Sequence, residues 1–196
     1  MFLEYPCHLN MCIPKELAMR FAVTSQNFRT ITGHASKARR FIIYEVQSPD
    51  EIAEANRRLA PYNVFVAADI FGYVCWNLND TDIGQKLDPI AGAVDYLCPM
   101  LYPSGFQFGI PGYRNPVQNP YEIVYLSLKK AQERLKISPV RFRPWLQAFK
   151  DYAFDKRQFQ AREVSDQIRA ANSFGSHGWM LWNPRNVYTD AGLQPE

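Results

Sequence analysis

Val64-Phe65-Val66-Ala67-Ala68-Asp69-Ile70 is a short run, nearly unbroken in apolar residues, and it reads as a strand of a parallel sheet buried on both faces. Upstream, Ser48-Pro49-Asp50-Glu51 has the spacing of a capping box with Pro at the first helical position. Ile52, Ala55 and Leu59 then share one face, so a helix runs from there to near Pro61. Downstream the alternation continues. A long loop and a short helix over 83–91 precede a strand over 94–102, and a Pro- and Gly-rich loop leads to a helix over 120–136 with Val124, Leu128, Ala131 and Leu135 in register. A third strand is expected over 140–149. A helix carrying Val164, Ile168 and Ala171 then passes through Gly175 to a fourth strand over 178–183.

The strand ends Asp69, Tyr102, Gln147 and Asn183 lie 33, 45 and 36 residues apart, a spacing that helical crossovers between parallel strands explain. Such crossovers are right-handed, and the strands either close toward a (β/α) barrel or stay as an open doubly wound sheet. Polar groups alternating with apolar ones at Arg141, Arg143 and Gln147 suit a barrel interior, and no glycine-rich phosphate turn follows any strand. The expected fold class is therefore α/β, a partial (β/α) barrel of about four βα units over residues 48–196. Residues 1–47 show no sustained period and read as a divergent or poorly ordered leader, with Phe41-Ile42-Ile43-Tyr44 as its one strand-like run.

Composition excludes several classes. The 196 residues are 47% hydrophobic, enough for a real core, and 22 Lys and Arg against 19 Asp and Glu leave a net charge of only +3. Neither a nucleic acid nor an anionic membrane is indicated as partner. No run of 18 apolar residues exists, and Glu4, His8, Lys15 and Glu16 interrupt the start, so the chain as written is expected to be cytoplasmic. Cys7, Cys12, Cys75 and Cys98 suggest no disulfide framework. The three histidines, His8, His34 and His177, have no partner at metal or nucleophile spacing, and no cofactor is expected.

Aromatic residues make up 14% of the chain and crowd the strand ends, where parallel α/β folds place their ligand sites. Tyr73, Trp76, Asn77, Tyr102, Trp145, Gln147, Trp182, Asn183 and Arg185 all fall at or just beyond those ends. Aromatic faces beside amides and cations suit a sugar ring, whose C–H face stacks while its hydroxyls take directional hydrogen bonds. Any one ring taken alone reads better as core filler, and it is the same chemistry at four strand ends that weakens that reading. Asp69 is either a partner of Arg143 within the barrel or a catalytic or substrate-binding acid. Asp151 and Asp155 are second-choice acids that read better as solvated loop carboxylates, Asp80 and Asp82 read as part of a polar loop or helix cap, and Gly105, Gly109 and Gly112 permit a long loop folded over the strand ends.

Four stretches carry a resemblance. They are Ala68-Asp69-Ile70-Phe71-Gly72-Tyr73-Val74-Cys75-Trp76-Asn77, Pro99-Met100-Leu101-Tyr102-Pro103-Ser104-Gly105-Phe106, Arg143-Pro144-Trp145-Leu146-Gln147-Ala148-Phe149 and Gly178-Trp179-Met180-Leu181-Trp182-Asn183-Pro184-Arg185-Asn186-Val187-Tyr188. In this order they resemble a bacterial family of glycoside hydrolase-like proteins with a TIM-barrel fold. The strand ends at Met100-x-Tyr102 and Trp182 also resemble, more loosely, chitinase-like barrels. The resemblance runs from about Glu51 to Tyr188 and implies strands five to eight of the barrel, a poly- or oligosaccharide as substrate, and export for intact relatives.

One departure stands out. The family's fourth strand resembles Asp-x-Tyr-Val-Arg-Phe-Pro, and nothing in residues 1–50 reproduces it. Glycosidases generally need two carboxyl groups, and this chain offers one at a strand end, Asp69. The expectation is a truncated glycoside hydrolase-like protein, inactive alone. A non-catalytic carbohydrate-binding remnant and one half of a split enzyme are the alternatives, with self-association or a complementary N-terminal half-barrel as the expected protein contacts.

Overall fold

The computed structural model describes residues 19–25, 40–46, 49–62, 64–190 and 192–193. Cys7, Cys12, His8, His34, the capping residue Ser48 and most of the stretch from Thr24 to Arg40 lie outside them. Two strands, β1 (Met19–Ser25) and β2 (Arg40–Val46), form an antiparallel pair with Met19 opposite Val46. The strand-like run at Phe41 falls in β2, whereas β1 has no counterpart among the expected elements.

The rest is the expected alternation: α1 (Pro49–Leu59), β3 (Ala67–Phe71), α2 (Leu87–Ala93), β4 (Tyr96–Met100), α3 (Pro120–Leu135), β5 (Trp145–Gln147), α4 (Ala161–Phe174) and β6 (Met180–Trp182). Strands β3 to β6 form one parallel sheet in sequential order. A doubly wound sheet reverses its order at a switch point, so sequential order with a helix between strands is the topology of a partial barrel.

The described helices pack against one face of the sheet. Ala68, Ile70, Leu97, Leu101 and Leu146 join Ile52, Leu87, Ile90, Ile123, Val124, Leu128, Ala131, Ala170, Ala171 and Phe174 in a single buried cluster. On α3 the buried positions Ile123, Val124, Ser127, Leu128 and Ala131 recur at helical spacing. That helix ends at Lys136, whose left-handed backbone (φ 54°) lets its amide bond the Gln132 carbonyl at 2.7 Å. A reciprocal capping box between Gln160 and Glu163 starts α4, and Gly175 at φ 87° stops it.

The structure corrects several expectations. β3 is not buried on both faces: Ala68 and Ile70 are buried, but Ala67, Asp69 and Phe71 point to an open side where Phe65 is 70% and Phe71 55% exposed. The third strand shrinks to three residues because Pro139–Arg141 forms a 3-10 turn and Pro144 has no amide to donate. The helix expected over 83–91 starts later, since Thr81, Asp82 and Gly84 take left-handed turn conformations. Arg141 does not face the barrel interior. Its guanidinium donates to the Asp95 carbonyl (3.0 Å), the Ala91 carbonyl (2.9 Å) and the Val94 carbonyl at the end of α2.

Gly72 begins the 3-10 turn that follows β3. A Cβ there would sit 2.8 Å from the Met100 carbonyl oxygen and 2.6 Å from Phe106 Cζ, so this crossing of two strand ends admits only glycine.

At either side of the sheet, β3 and β6 each have one hydrogen-bonded strand partner among the described residues. Gln85 Oε1 accepts the Phe71 amide at 2.8 Å and so covers part of the β3 edge. With an edge and an aromatic face open, the purified chain is expected to self-associate. Size-exclusion chromatography with light scattering should give a mass above that of one chain. A stable monomer that unfolds cooperatively would overturn this.

Candidate functional site

Strand register assembles the site on the open face. Phe71 pairs with Met100, Met100 with Trp145 and Trp145 with Met180, which makes one row across four strands. Asp69 lies one step earlier on the same face of β3, opposite Cys98, and so in mid-strand instead of at the strand end. Its Oδ1 accepts a hydrogen bond from the Trp145 indole Nε1 at 2.8 Å. Desolvation of the carboxyl by the groups around it raises the Asp69 pKa above its ordinary value, and the indole N–H pulls only part of that back. Trp145 in turn meets Trp182 edge to face, with centroids 6.0 Å apart at 85°, and Trp182 stays 42% exposed.

The neighbours of Asp69 are neutral. Burial, with the Asp69 charge adding to it and Arg143 opposing, pushes the Cys98 thiol up to about 12. Burial likewise lifts the Tyr102 hydroxyl far above its usual range, reinforced by Asp69 and Tyr188, so Tyr102 presents an O–H donor. Tyr102 follows β4 and packs edge-on against Phe149 at 5.4 Å.

Arg143 does not pair with Asp69, which forms no ion pair among the described residues. Its side chain is taken up by residues at the starts of β4 and β6, with Nη2 2.7 Å from His177 Nδ1 and its guanidinium carbon 3.5 Å above the Tyr96 ring. Tyr96 and His177 stack at 5.7 Å.

Other residues chosen from sequence separate into two groups. Tyr73, Trp76 and Asn77 anchor loops. The Tyr73 hydroxyl donates to the Gly109 carbonyl (3.1 Å) and accepts the Phe108 amide (3.0 Å), holding down the long loop after β4. Trp76 Nε1 donates to Ser127 Oγ on α3 at 2.8 Å, inside the helical layer, and the Asn77 carbonyl accepts from Arg134 Nη1 at 2.6 Å. Gln147 is fully buried. Asp69, Tyr102, Trp145 and Trp182 are brought together on the open face, with Asn183 and Arg185 at its rim. Asn183 Nδ2 donates to the Ala148 carbonyl (2.6 Å), and its Oδ1 accepts the Arg185 amide (2.9 Å).

Asp151 is the residue that sequence reasoning misplaced. It is not a solvated loop carboxylate but 2% exposed, and it accepts from Ser104 Oγ (2.7 Å) and from the amides of Ala153 (3.0 Å), Phe154 (2.9 Å) and Lys156 (2.9 Å). Burial pushes its pKa up, but these four hydrogen bonds outweigh it and the net shift is downward. Gln147 extends the network, donating to Ser104 Oγ (2.7 Å) and accepting the Ser104 amide (3.0 Å), while Gln167 on α4 pairs with both backbone groups of Gln147. The sequence signal for Asp151 is local: an Asp just past a strand whose carboxylate reaches the amide two residues on. Asp155, by contrast, is exposed and paired with Arg157 at 2.6 Å, which lowers its pKa.

Beyond the ends of β5 and β6 opens a cleft of about 650 Å³ lined by Tyr102, Phe149, Lys150, Tyr152, Asn183 and Arg185 among others. A second one of about 530 Å³ shares Ala148, Phe159 and Asn183 with it. Among the described residues no group of three or more His, Cys, Asp or Glu could hold a metal ion, and no helix is long and apolar enough to cross a membrane.

A parallel, sequentially ordered sheet that carries its polar and aromatic residues toward the strand C-termini defines a barrel-type α/β protein with a strand-end site. Within that class the chain belongs to the family described as "Putative glycosyl hydrolase domain", whose model matches residues 20–188. This bears out the resemblance carried by the four strand-end motifs and extends it upstream of Glu51. Among solved structures the chain is similar to the glycoside hydrolase domain of PgaB (BpsB) from Bordetella bronchiseptica, at 18% identity and a TM-score of 0.46, over 69% of this chain and 38% of that one. No curated protein matches it.

Proposed function

We propose that this chain forms one wall of a glycoside hydrolase-type site that binds a poly- or oligosaccharide without cleaving it alone. The observation that carries the reading is the Trp145 indole holding Asp69, with the exposed Trp182 ring set at right angles beside it. A sugar ring stacks on Trp182, and its hydroxyls find Asn183 and the Tyr102 O–H. Asp69, with its raised pKa, is the group suited to hand a proton to a glycosidic oxygen. Cleavage also needs a second carboxylate across the bond, and Asp69 is the sole acid in β3 to β6. That same observation favours a second reading, a carbohydrate-binding wall with no catalytic role. In the first reading the second acid comes from a complementary wall facing β3 and β6.

The test is calorimetric binding of the 196-residue chain to a panel of soluble glycans, with release of reducing ends measured in parallel. Binding without release is expected, and Trp182→Ala should weaken it by about tenfold. Turnover that disappears in Asp69→Asn would make the chain a self-sufficient enzyme. Binding to no glycan would overturn the carbohydrate reading altogether.

A further inference from the structure

The cleft beyond β5 and β6 is lined by aromatic rings and by two cations. Phe149 and Tyr152 stack with centroids 6.3 Å apart at 8°, and Tyr102 closes against the Phe149 edge. Lys150 and Arg185 line the same space, and no Asp or Glu does. Nearby acids are already engaged: Asp151 is turned inward onto its four donors, Asp155 holds Arg157, and Glu163 accepts the Gln160 amide. Among the described residues neither the Lys150 ammonium nor the Arg185 guanidinium has a hydrogen-bond or ion-pair partner.

Both cations stand on fixed backbone. Lys150 lies between Phe149, whose carbonyl accepts from Gln147 Nε2 at 3.1 Å, and the buried Asp151. Arg185 is set by the Asn183 side chain, which bonds the Arg185 amide and the Ala148 carbonyl across the ends of β5 and β6. A volume of about 650 Å³ accommodates a small ligand of one or two rings. Hydroxyls of a neutral sugar are served by amides such as Gln158 and Asn183 and leave two unpaired cations without a use. A carboxylate supplies that use, because a guanidinium engages it in a bidentate, charge-assisted pair.

We propose that this cleft is a subsite for an acidic saccharide, with the carboxylate of a uronate-class residue held by Lys150 and Arg185 and its ring against Phe149 and Tyr152. The proposal rests on the carbohydrate reading above and names the substrate class within it.

The experiment titrates the full chain with an oligogalacturonate and with the same oligomer after reduction of its carboxyl groups, in about 0.1 M salt so that diffuse surface attraction is screened. The acidic oligomer should bind at least about tenfold more tightly. Lys150→Gln/Arg185→Gln should remove that preference by weakening binding of the acidic oligomer about tenfold, to the level of the reduced one. Lys129→Gln/Lys130→Gln, which removes the same charge from the exposed side of α3, should preserve it. Equal binding of the two oligomers overturns the subsite and leaves the carbohydrate reading standing. A preference that survives in the cleft variant, or that falls equally in the α3 variant, overturns it as diffuse electrostatics. So does a single-stranded oligonucleotide of matched charge binding as tightly. Binding of neither oligomer overturns it as well, and the wider glycan panel then decides the carbohydrate reading separately.

Discussion

In an active family member with a complete barrel, replacing the aspartate at the position of Asp69 by Asn should lower turnover by roughly a hundred- to ten-thousand-fold, with sugar affinity little changed. The expectation follows from where the carboxyl sits. It lies in mid-strand on the open face, between the Trp145 indole that orients it and the neutral Cys98 and Tyr102 groups that keep it from being stabilised as an anion. Asn preserves the acceptor oxygen for the indole, so the Trp145 and Trp182 rings hold their places and binding survives. What Asn lacks is a proton to give. Comparing kcat with the dissociation constant separates the two roles. An unchanged rate would assign Asp69 to anchoring Trp145, since pairing with Arg143 is already answered by the His177 and Tyr96 contacts.

Asp151→Ala should destabilise the chain by roughly 2–4 kcal/mol, because Ser104 Oγ and three backbone amides lose their common acceptor within a buried network. Urea titration would read this as a lower midpoint. The effect is also pH-dependent. The folded carboxyl has a pKa below its ordinary 3.8, so in that acid window the unfolded chain binds more protons than the folded one. The stabilisation from Asp151 is therefore fully present well above pH 4 and is lost as pH falls through the lower folded value. Asp151→Asn makes the clean comparison: its stability deficit at pH 7 should shrink steadily below about pH 4. A deficit constant with pH would mean that shape, not charge, holds the loop together.

Much of the fold was legible because the apolar runs were. Ala68 and Ile70, Leu97, Leu146 and the Val124, Leu128 and Ala131 stripe all lie where the sequence pattern placed them, with Leu135 partly buried at the end of that stripe, since burial against a helix is what made them apolar. The open face was not legible. Phe65 and Phe71 look like core residues in a sequence, and only the register shows that they stand on the side the described helices leave bare. Polar residues were harder still. Gln147 at the end of β5 and Asp151 four residues on are polar, as Asn183 and Arg185 are beyond β6, yet the first two bond inward while the Arg185 guanidinium has no partner among the described residues. That difference depends on partners at Ser104 and Gln167, which are remote in sequence. Trp76 illustrates the same point, for its indole is claimed by Ser127 on a helix that begins over forty residues later.

The Arg141 guanidinium has a bearing on how this chain can be cut. By gathering the carbonyls of Ala91, Val94 and Asp95, it ties the start of β5 to the end of α2, while the Asp95 carboxylate accepts the Val66 amide at 2.8 Å. Residues 66 to 141 are thus cross-linked at their base without any covalent bond. A fragment-complementation reporter built on this chain should take its breakpoint outside that span. The exposed tip of the 152–158 turn meets that condition, for a break there keeps all the Arg141 cross-links within one half.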